Sequence, residues 1–256
     1  LSADTTVFNC ADVGQNTVTL TVEDQYGNLN TCTAAVTVAD TIAPQVLCQD
    51  VTVQLDADGL GSITASTIDA GSSDACPSLP VSGGPVPGGL TSLELDITNF
   101  DCGSIGANPV TLTAEDTNGN TATCTAIVTV ADTVVPEVLC QAVTVQLNAN
   151  GQGALSVANL DGGSSDACGL DTLYISQTAF DCADVGEHTI TLTAVDLNGT
   201  MNSCTATITV EDNIAPQVQC TSTTLHLDGS GQATLSQADL NASSLDFCGI
   251  ASTVLN

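Results

Sequence analysis

The stretch "VADTIAPQVLC" at residues 38–48 returns almost unchanged at two later points in the chain. The second copy is "VADTVVPEVLC" at 130–140, and the third is "VEDNIAPQVQC" at 210–220. The first and second copies are 92 residues apart, and the second and third are 80 residues apart. Such a spacing is typical of a small domain rather than of a short motif. The sequence therefore predicts a tandem array of similar domains.

The repeated stretch divides the 256 residues into two complete repeats, 41–132 and 133–212, and two partial ones. Residues 1–40 match the last half of a repeat, and residues 213–256 match the first half. The first complete repeat carries 12 additional residues, centred on the Pro- and Gly-rich segment 77–89, which is typical of a surface loop. Because residue 1 falls inside a repeat, we expect the chain to be a segment of something longer or a processed product.

Short alternating segments separated by turn residues fill each repeat, as the complete repeat 133–212 illustrates. In it "EVLCQAVTVQL" alternates like a strand, "NANGQG" predicts a turn, and "ALSV" predicts a short return strand. Further strand patterns follow in "LDTLYISQTAF", "TITLTAV" and "NSCTATITV", the last two joined by the turn "DLNG". Five to seven antiparallel strands without a helix predict an all-β fold, a small immunoglobulin-like sandwich.

Twelve cysteines recur in a fixed phase, four to a repeat, and indicate a disulfide framework. They lie at positions 10, 32, 48, 76, 102, 124, 140, 168, 182, 204, 220 and 248. Aromatic residues make up only 2% of the chain, so each core is small and aliphatic and needs covalent reinforcement. No Cys-x-x-Cys occurs, and His188 and His226 stand in unrelated phases, which argues against zinc. The framework indicates an oxidising, extracellular compartment.

The charge of the chain excludes several classes of function. It contains no Lys or Arg against 29 Asp and Glu, a formal charge of −29. Binding to nucleic acid or to an anionic membrane through charge requires cations on the protein. No apolar run is long enough to span a membrane. No G-x-S-x-G or H-E-x-x-H motif occurs, and no third group supports either histidine, so the sequence indicates a non-enzymatic protein.

Three motifs carry a resemblance to a known family. They are "P-x-V-x-C" at the start of a repeat, "D-x-N-G" before its last strand, and "C-T-A-x-[IV]-T-V-x-D" at its end. The chain resembles tandem hyalin-repeat (HYR) modules. The four-cysteine form with "GSSDAC" and "FDC" is similar to repeats of giant extracellular adhesins of Bacteroidota. The resemblance covers the whole chain and implies immunoglobulin-like modules that serve as spacers or binders on a cell surface.

The position of the cysteines on the predicted strands suggests how they pair. In immunoglobulin-like folds the first and last strands lie side by side, which predicts a bond between the first and fourth cysteines of a repeat. Elimination leaves the second and third cysteines of each repeat to pair. The predicted pairs are Cys48–Cys124, Cys140–Cys204, Cys76–Cys102 and Cys168–Cys182. Applied to the partial repeats, the rule predicts bonds between copies of the chain, Cys220 to Cys32 and Cys248 to Cys10.

Acidic residues are predicted to converge where one repeat follows another. If successive strands run in alternate directions, the "SSDAC" loop and the "D-x-N-G" turn lie at the end where the linker arrives. Crowded carboxylates without Lys or Arg repel one another, and calcium with its oxygen ligands relieves that repulsion. The alternative is structural, because tight turns themselves require Asp, Asn and Gly. The candidate ligands are Asp40, Asp74 and Asp116 at one junction and Asp132, Asp166 and Asp196 at the next.

Three short triplets suggest a modification. "DTI" at 40–42, "DTV" at 132–134 and "DTL" at 171–173 resemble the acceptor of Bacteroidota O-glycosylation. The resemblance implies glycan on Thr41, Thr133 and Thr172. Since Thr is abundant in the chain, chance occurrence is the alternative.

These features predict a structural segment of an extracellular adhesin, stalk or filament. Its partners are then neighbouring copies of the same chain, because neither partial repeat satisfies its strand edges alone. Residues 213–256 of one copy would complete a sandwich with residues 1–40 of the next, either in a continuous chain or by strand exchange. The alternative is a module that binds a glycan or a protein through the loop 77–89.

Overall fold

The computed structural model describes residues 1–76, 89–240 and 243–254. It divides into two compact units, Leu1–Thr133 and Val134–Asn256. In the described residues the regular structure is almost entirely β-strand, as the alternating sequence predicts, with only single-turn α-helices and 3₁₀ turns besides.

The first unit begins with a three-stranded sheet. Its strands, in the spatial order β1-β2-β3, are β1 (Ser2–Ala3), β2 (Gly14–Glu23) and β3 (Leu29–Val38). A complete repeat follows, with a four-stranded sheet in the order β4-β9-β8-β6 and a two-stranded sheet β5-β7. Its elements are β4 (Val51–Gln54), β5 (Leu60–Ser62), α1 (Ala65–Ile68), β6 (Leu90–Leu95), β7 (Asn99–Asp101), β8 (Gly106–Asp116) and β9 (Thr121–Ala131).

The second unit repeats this topology. Its four-stranded sheet has the order β10-β15-β14-β12, and β11 pairs with β13. The elements are β10 (Val143–Gln146), β11 (Gln152–Ala154), α2 (Val157–Leu160), β12 (Leu170–Ile175), β13 (Ala179–Asp181), β14 (Gly186–Asp196), β15 (Met201–Glu211) and α3 (Gln237–Leu240). The prediction of an all-β, immunoglobulin-like sandwich is confirmed. The expectation that all strands are antiparallel was wrong for one pair in each four-stranded sheet, because β4 pairs with β9 and β10 pairs with β15 in parallel.

The long hairpin of each complete repeat shows why these residues form strands. Along β8 the burial alternates, so that Val110, Leu112 and Ala114 face the core while the residues between them are less buried. This is the period of two that a half-buried strand requires. The turn "DTNG" at 116–119 closes the hairpin, and Gly119 adopts a φ of +85° there, a conformation that glycine reaches without strain.

Two sequence predictions for the complete repeats need correction. The segment "ALSV" at 154–157 is not a return strand, because β11 ends at Ala154 and α2 begins at Val157. The absence of helix was wrong as well, since α1 and α2 each form one turn whose last residue, Ile68 or Leu160, is fully buried. The helical turn directs that side chain into the core, whereas an extended chain would not.

Each complete repeat has an aliphatic core closed by one aromatic ring. The cluster in the second unit comprises Val145, Leu147, Leu155, Leu160, Phe180, Ile190, Leu192, Ile208 and Val210. The two layers approach closely at Gly153, where a Cβ atom would lie 2.7 Å from Cγ1 of Val145. Any larger residue at this position would force the Val145 side chain to shift.

Candidate functional site

The first and fourth cysteines of each complete repeat are bonded. The structure contains the predicted pairs Cys48–Cys124 and Cys140–Cys204, each with a Cα–Cα distance of 5.9 Å. In each repeat the bond joins the segment before the first strand to the last strand of the larger sheet. The bond therefore joins the beginning of the repeat to its end across one core.

The second and third cysteines do not pair within a repeat. Cys76 is bonded to Cys10, and Cys182 is bonded to Cys248, each pair with a Cα–Cα distance of 5.1 Å. The predicted pairs Cys76–Cys102 and Cys168–Cys182 are therefore wrong. The bond from Cys248 to Cys10 of another copy is also wrong, because both atoms have partners within the chain.

Strand geometry explains the error. Between Cys168 and Cys182 lies β12, whose six residues span roughly 20 Å. A disulfide needs its Cα atoms only about 4.4–6.8 Å apart, so the two cysteines lie too far apart to bond. Cys182 instead opens a 3₁₀ turn capped by Asp181, and it meets Cys248 of the following repeat. Cys102 opens the equivalent turn, and both it and Cys168 are disulfide-bonded.

A signal for this arrangement was present in the sequence. Cys10 and Cys76 are 66 residues apart, and so are Cys182 and Cys248. The 12 additional residues of the first complete repeat begin after Cys76, so they change the spacing within the repeat but not the spacing across the boundary. Equal spacing across a boundary indicates that each of these bonds links one repeat to the next.

Two cysteines have no partner in this chain. Cys32 and Cys220 are exposed free thiols, and they occupy the phases that form Cys48–Cys124 in a complete repeat. A cavity of about 260 Å³ borders Cys220. Its lining includes Val218, Leu240, Ser252 and Val254. The bond between copies from Cys220 to Cys32 stays a prediction.

Several positions in the two partial repeats that correspond to strands of the complete repeats are not strands. In the complete repeat of the second unit, β10 pairs with β15 and β11 pairs with β13. Residues 223–226 and 232–234 occupy the positions of β10 and β11, but neither range is a strand. Residues 7–9 occupy the position of β7 and are not a strand either. The strands that fail to form in one segment are those whose partners lie in the other.

The partial repeats also expose side chains whose counterparts are buried. Leu225 and Leu227 are 43% and 70% exposed, whereas Val145 and Leu147 at the same positions of the complete repeat are 4% and 3% exposed. Val22 in β2 is 45% exposed, and its counterpart in β8 is fully buried. Each partial repeat therefore presents one half of an aliphatic core to solvent.

In the first unit the acidic residues converge in part. Asp40 and Asp74 offer carboxylate oxygens that lie within 4.8 Å of each other and of the Cys76 sulfur. That sulfur belongs to a disulfide and is no metal ligand. Asp40 accepts hydrogen bonds from the Ile42 N–H and from the side-chain amide of Asn118, both at 3.0 Å. Oδ1 of Asp74 accepts from the Cys76 N–H, but the buried Oδ2 has no hydrogen-bond partner.

The third predicted ligand, Asp116, is occupied by its own turn. Its carboxylate accepts hydrogen bonds from the N–H groups of Asn118 and Asn120 and from the side chain of Asn120, each at 2.8 Å. Burial acts to raise the pKa of Asp116, but these hydrogen bonds outweigh it and hold the pKa below its ordinary value. The structural explanation of the "D-x-N-G" turn therefore applies to this residue.

In the second unit Asp196 takes the same role. Burial acts to raise its pKa, and hydrogen bonds from the Thr200 hydroxyl and from the N–H groups of Thr200 and Asn198 lower it below the ordinary value. Asp166 accepts from the Cys168 N–H at 2.8 Å, as Asp74 does from Cys76.

The remaining candidates have simple surroundings. Asp132 is buried, in the first unit. Thr41, Thr133 and Thr172, the predicted glycan acceptors, are all exposed. His188 forms a hydrogen bond with the Asp184 carbonyl at 2.6 Å. At the equivalent position in the first unit, Asn108 donates its side-chain amide to the Ser104 carbonyl. The role of His188 is therefore structural. The loop 77–89, which the alternative interpretation makes the binding loop, lies outside the described residues except for Gly89.

Comparisons with known proteins identify no family for this chain. No model of a known protein family and no curated protein matches the chain. Among solved structures, the chain is similar to extracellular cadherin domains 1–4 of protocadherin gamma B7, at 15% identity and a TM-score of 0.33, over 85% of this chain and 63% of that one. Mouse cadherin-23 EC22–24 matches at 11% identity and a TM-score of 0.33, over 77% and 74% of the two chains.

Protocadherin gamma C5 EC1–3 matches at 13% identity and a TM-score of 0.35, over 78% of this chain and 79% of that one. The chain spans less than two thirds of the first solved structures it matches. Scores of this size leave the functional argument to the residues of the chain itself. In the described part of the chain no helix is both long and apolar enough to cross a bilayer. The disulfide framework places the chain among extracellular β-sandwich repeat proteins.

Proposed function

We propose that the chain is a structural segment of an extracellular adhesin, stalk or filament, and that each of its partial repeats is completed by the adjoining copy. The observation that carries the proposal is the pair of bonds Cys10–Cys76 and Cys182–Cys248, which each fasten one repeat to the next. Such bonds suit a linear array that must resist extension and unfolding, because a disulfide restricts the unfolded chain.

The reciprocal gaps in the partial repeats support the second half of the proposal. One segment lacks the partners of residues 223–226 and 232–234, and the other lacks the partner of residues 7–9. Two exposed halves of a core bury apolar surface when they meet, and that burial favours association. A second copy supplies the matching half in full.

Sedimentation of the purified full chain tests this function. Because both copies carry a charge of −29, association is measured in about 0.5 M NaCl, where the repulsion between them is screened. We expect a series of head-to-tail species that grows with concentration and appears as linear particles by electron microscopy. A chain that stays a monomer at every concentration contradicts completion by strand exchange between separate chains and favours completion within a continuous chain.

Calcium and glycan are further parts of the same proposal. The unpartnered Oδ2 of Asp74 beside Asp40 fits a calcium ligand, although calcium takes 6–8 oxygens and water must supply the others. Exposure of Thr41, Thr133 and Thr172 fits glycan attachment in the mature protein. The intact mass of the protein isolated from its source tests the glycan, because a mass equal to that of the sequence excludes it.

A further inference from the structure

The outer face of the larger sheet in the second unit carries exposed apolar side chains at one end. Thr172, Val195 and Met201 lie in one row across β12, β14 and β15, on the side of the sheet away from the core. Tyr174 lies in the next row, and Leu197 follows in the hairpin turn. Tyr174, Leu197 and Met201 are each at least 50% exposed, and Val195 is partly exposed. These four apolar residues, Tyr174, Val195, Leu197 and Met201, form what we call the apolar patch.

The first complete repeat has polar residues at the same positions of the same sheet. Its strands keep the same register, so that Glu94 lies opposite Thr113 as Tyr174 lies opposite Thr193. In chain order, the counterparts of the patch residues are Glu94, Glu115, Thr117 and Thr121. The fold therefore does not require apolar side chains on this face. An exposed apolar group that the fold does not require indicates an interaction surface.

The same face has also lost its charges. Three exposed carboxylates of the first repeat, those of Glu94, Asp96 and Glu115, are replaced by uncharged side chains in the second. Carboxylates on a binding face would attract a cationic partner, so their loss argues against one. The loss suits a partner that is itself anionic, because like charges brought together in an interface repel each other.

A second copy of this chain is an anionic partner that the patch fits. The copy carries a charge of −29, and its own patch is uncharged and apolar. Two identical patches complement each other when a two-fold axis relates them. Tyrosine and methionine are also enriched in protein interfaces.

The size of the face limits the strength of this contact. Four strands about 4.8 Å apart, the longest of 11 residues, give a face of at most about 700 Å². Each partner of a stable interface contributes roughly 800 Å². The contact between two single copies is therefore weak.

We propose that two copies of the chain pair side by side through the apolar patch of the complete repeat 133–212. The contact closes at two copies, because both use the same surface. Head-to-tail growth through the partial repeats is open-ended by comparison. The side contact uses residues of one complete repeat only, so it is independent of how the partial repeats are completed. In a filament it joins two neighbouring filaments along their sides.

Sedimentation equilibrium of the full chain measures this pairing. Because the contact is weak, protein concentrations extend to about 1 mM. The test variant removes the apolar side chains without adding charge and carries Tyr174→Thr, Val195→Thr, Leu197→Thr and Met201→Thr. The matched control, Leu139→Thr with Val185→Thr, replaces exposed apolar residues of the same repeat outside the patch. Thermal melting checks that both variants remain folded.

We expect the four-threonine variant to pair at least about tenfold more weakly than the unmodified chain, and the control to differ by less than about threefold. Pairing should strengthen as NaCl is raised from about 0.05 M to about 0.5 M, because salt screens the repulsion between two anionic copies. Equal pairing by the unmodified chain and the four-threonine variant overturns the inference. An unmodified chain that does not pair, or pairing that salt weakens, overturns it too.

Two further outcomes separate the alternatives. Head-to-tail growth is unaffected by the four substitutions, so its absence bears on the proposed function and not on the side contact. A neutral sugar is the other occupant that an uncharged face with an exposed tyrosine could take, and cellohexaose is the probe. If the unmodified chain binds cellohexaose in calorimetry without pairing, and the four-threonine variant does not bind it, the face is a sugar site and the inference is overturned.

Discussion

At the scale of single residues, the buried carboxylates at the ends of β8 and β14 organise the hairpin turns. Asp116 and Asp196 are each 1% exposed and accept several hydrogen bonds from their own turns. Removing a buried acceptor leaves its donors unsatisfied, at a cost of about 1–3 kcal/mol. Asp24 makes the same contacts in an exposed turn and is the natural control.

The first prediction concerns Asp116 and pH. We expect Asp116→Asn to lower the free energy of unfolding by about 2 kcal/mol at pH 7, and Asp24→Asn to lower it less. Because the folded-state pKa of Asp116 lies below its ordinary value, its stabilisation is full above that value and is lost as the pH falls through the folded pKa. Urea unfolding at pH 7 and near pH 2 measures this. A cost of Asp116→Asn that is as large in acid as at pH 7 contradicts the explanation.

The second prediction concerns Asp74. If calcium binds at Asp40 and Asp74, excess chelator lowers the melting temperature, because a ligand bound only by the folded state stabilises that state. Asp74→Asn removes a negative charge from the pair and should abolish the effect of chelator, whereas Asp58→Asn, in an exposed turn, should preserve it. An identical melt of the unmodified chain with calcium and with chelator removes calcium from the proposal.

The residue scale shows what sequence reasoning captures at the candidate site. The adjacency of the first and last strands in an immunoglobulin-like fold predicted Cys48–Cys124 and Cys140–Cys204, which both lie inside one repeat. Elimination failed for Cys76 and Cys182 because it allowed bonds only within a repeat, whereas those two bonds cross from one repeat to the next. The convergence of Asp40 and Asp74 followed from strand direction, but the hydrogen bonds that occupy Asp116 depend on turn geometry that alternation does not reveal.

At the scale of elements, a segment forms a strand only when a pairing strand lies beside it, whatever its alternating sequence pattern. "VTVQ" at 143–146 is a strand against β15, but "TTLH" at 223–226 is not a strand, although it follows the same first cysteine at the same distance. Isolated strands have no partner for their backbone groups and are not stable alone. The pattern therefore predicts where strands lie in a completed repeat, and the surroundings decide whether they form.

The third prediction concerns the additional loop of the first complete repeat. Deleting residues 77–88 joins Cys76 to Gly89 and Leu90, which reproduces Cys168-Gly169-Leu170 of the second repeat. Gly89 and Gly169 both have positive φ, so the shortened connection is compatible with the strand that follows. We expect the melting temperature to change by no more than about 2 °C.

The same deletion separates the two functional alternatives. A glycan or protein ligand captured by the full chain but not by the shortened chain favours a binding module that uses the loop 77–89. Unchanged attachment and assembly favour the structural segment. A large loss of stability on deletion contradicts the view that these residues are an insertion outside the core.

At the scale of the whole molecule, charge and covalent bonds have opposite effects. Twenty-nine acidic residues without a single Lys or Arg leave no side-chain ion pair of the usual kind, and their mutual repulsion weakens the compact state. Ten disulfide-bonded cysteines limit how far the chain expands when that state is lost. Durability in this protein therefore comes from covalent links and small aliphatic cores rather than from surface salt bridges.

The arrangement of the disulfides determines how far the chain can extend when it is pulled. In the first unit the bond Cys10–Cys76 overlaps the bond Cys48–Cys124. The shortest path from Cys10 to Cys124 crosses both bonds and only the 28 residues between Cys48 and Cys76 (76 − 48 = 28). In the second unit Cys140–Cys204 overlaps Cys182–Cys248, and the path crosses 22 residues (204 − 182 = 22).

The last prediction follows from that path. At roughly 3.5 Å per residue, the fully unfolded stretch from Cys10 to Cys124 reaches about 100 Å while oxidised and about 400 Å once reduced. We expect force spectroscopy of the full chain to release less than half as much contour length before reduction as after it. Replacing Cys10 and Cys76 by Ser lengthens the oxidised path from 28 to 38 residues (48 − 10 = 38), so this variant should gain about 35 Å of release. An oxidised chain that extends as far as the reduced chain contradicts the covalent linkage of successive repeats, and with it the mechanical role of the segment.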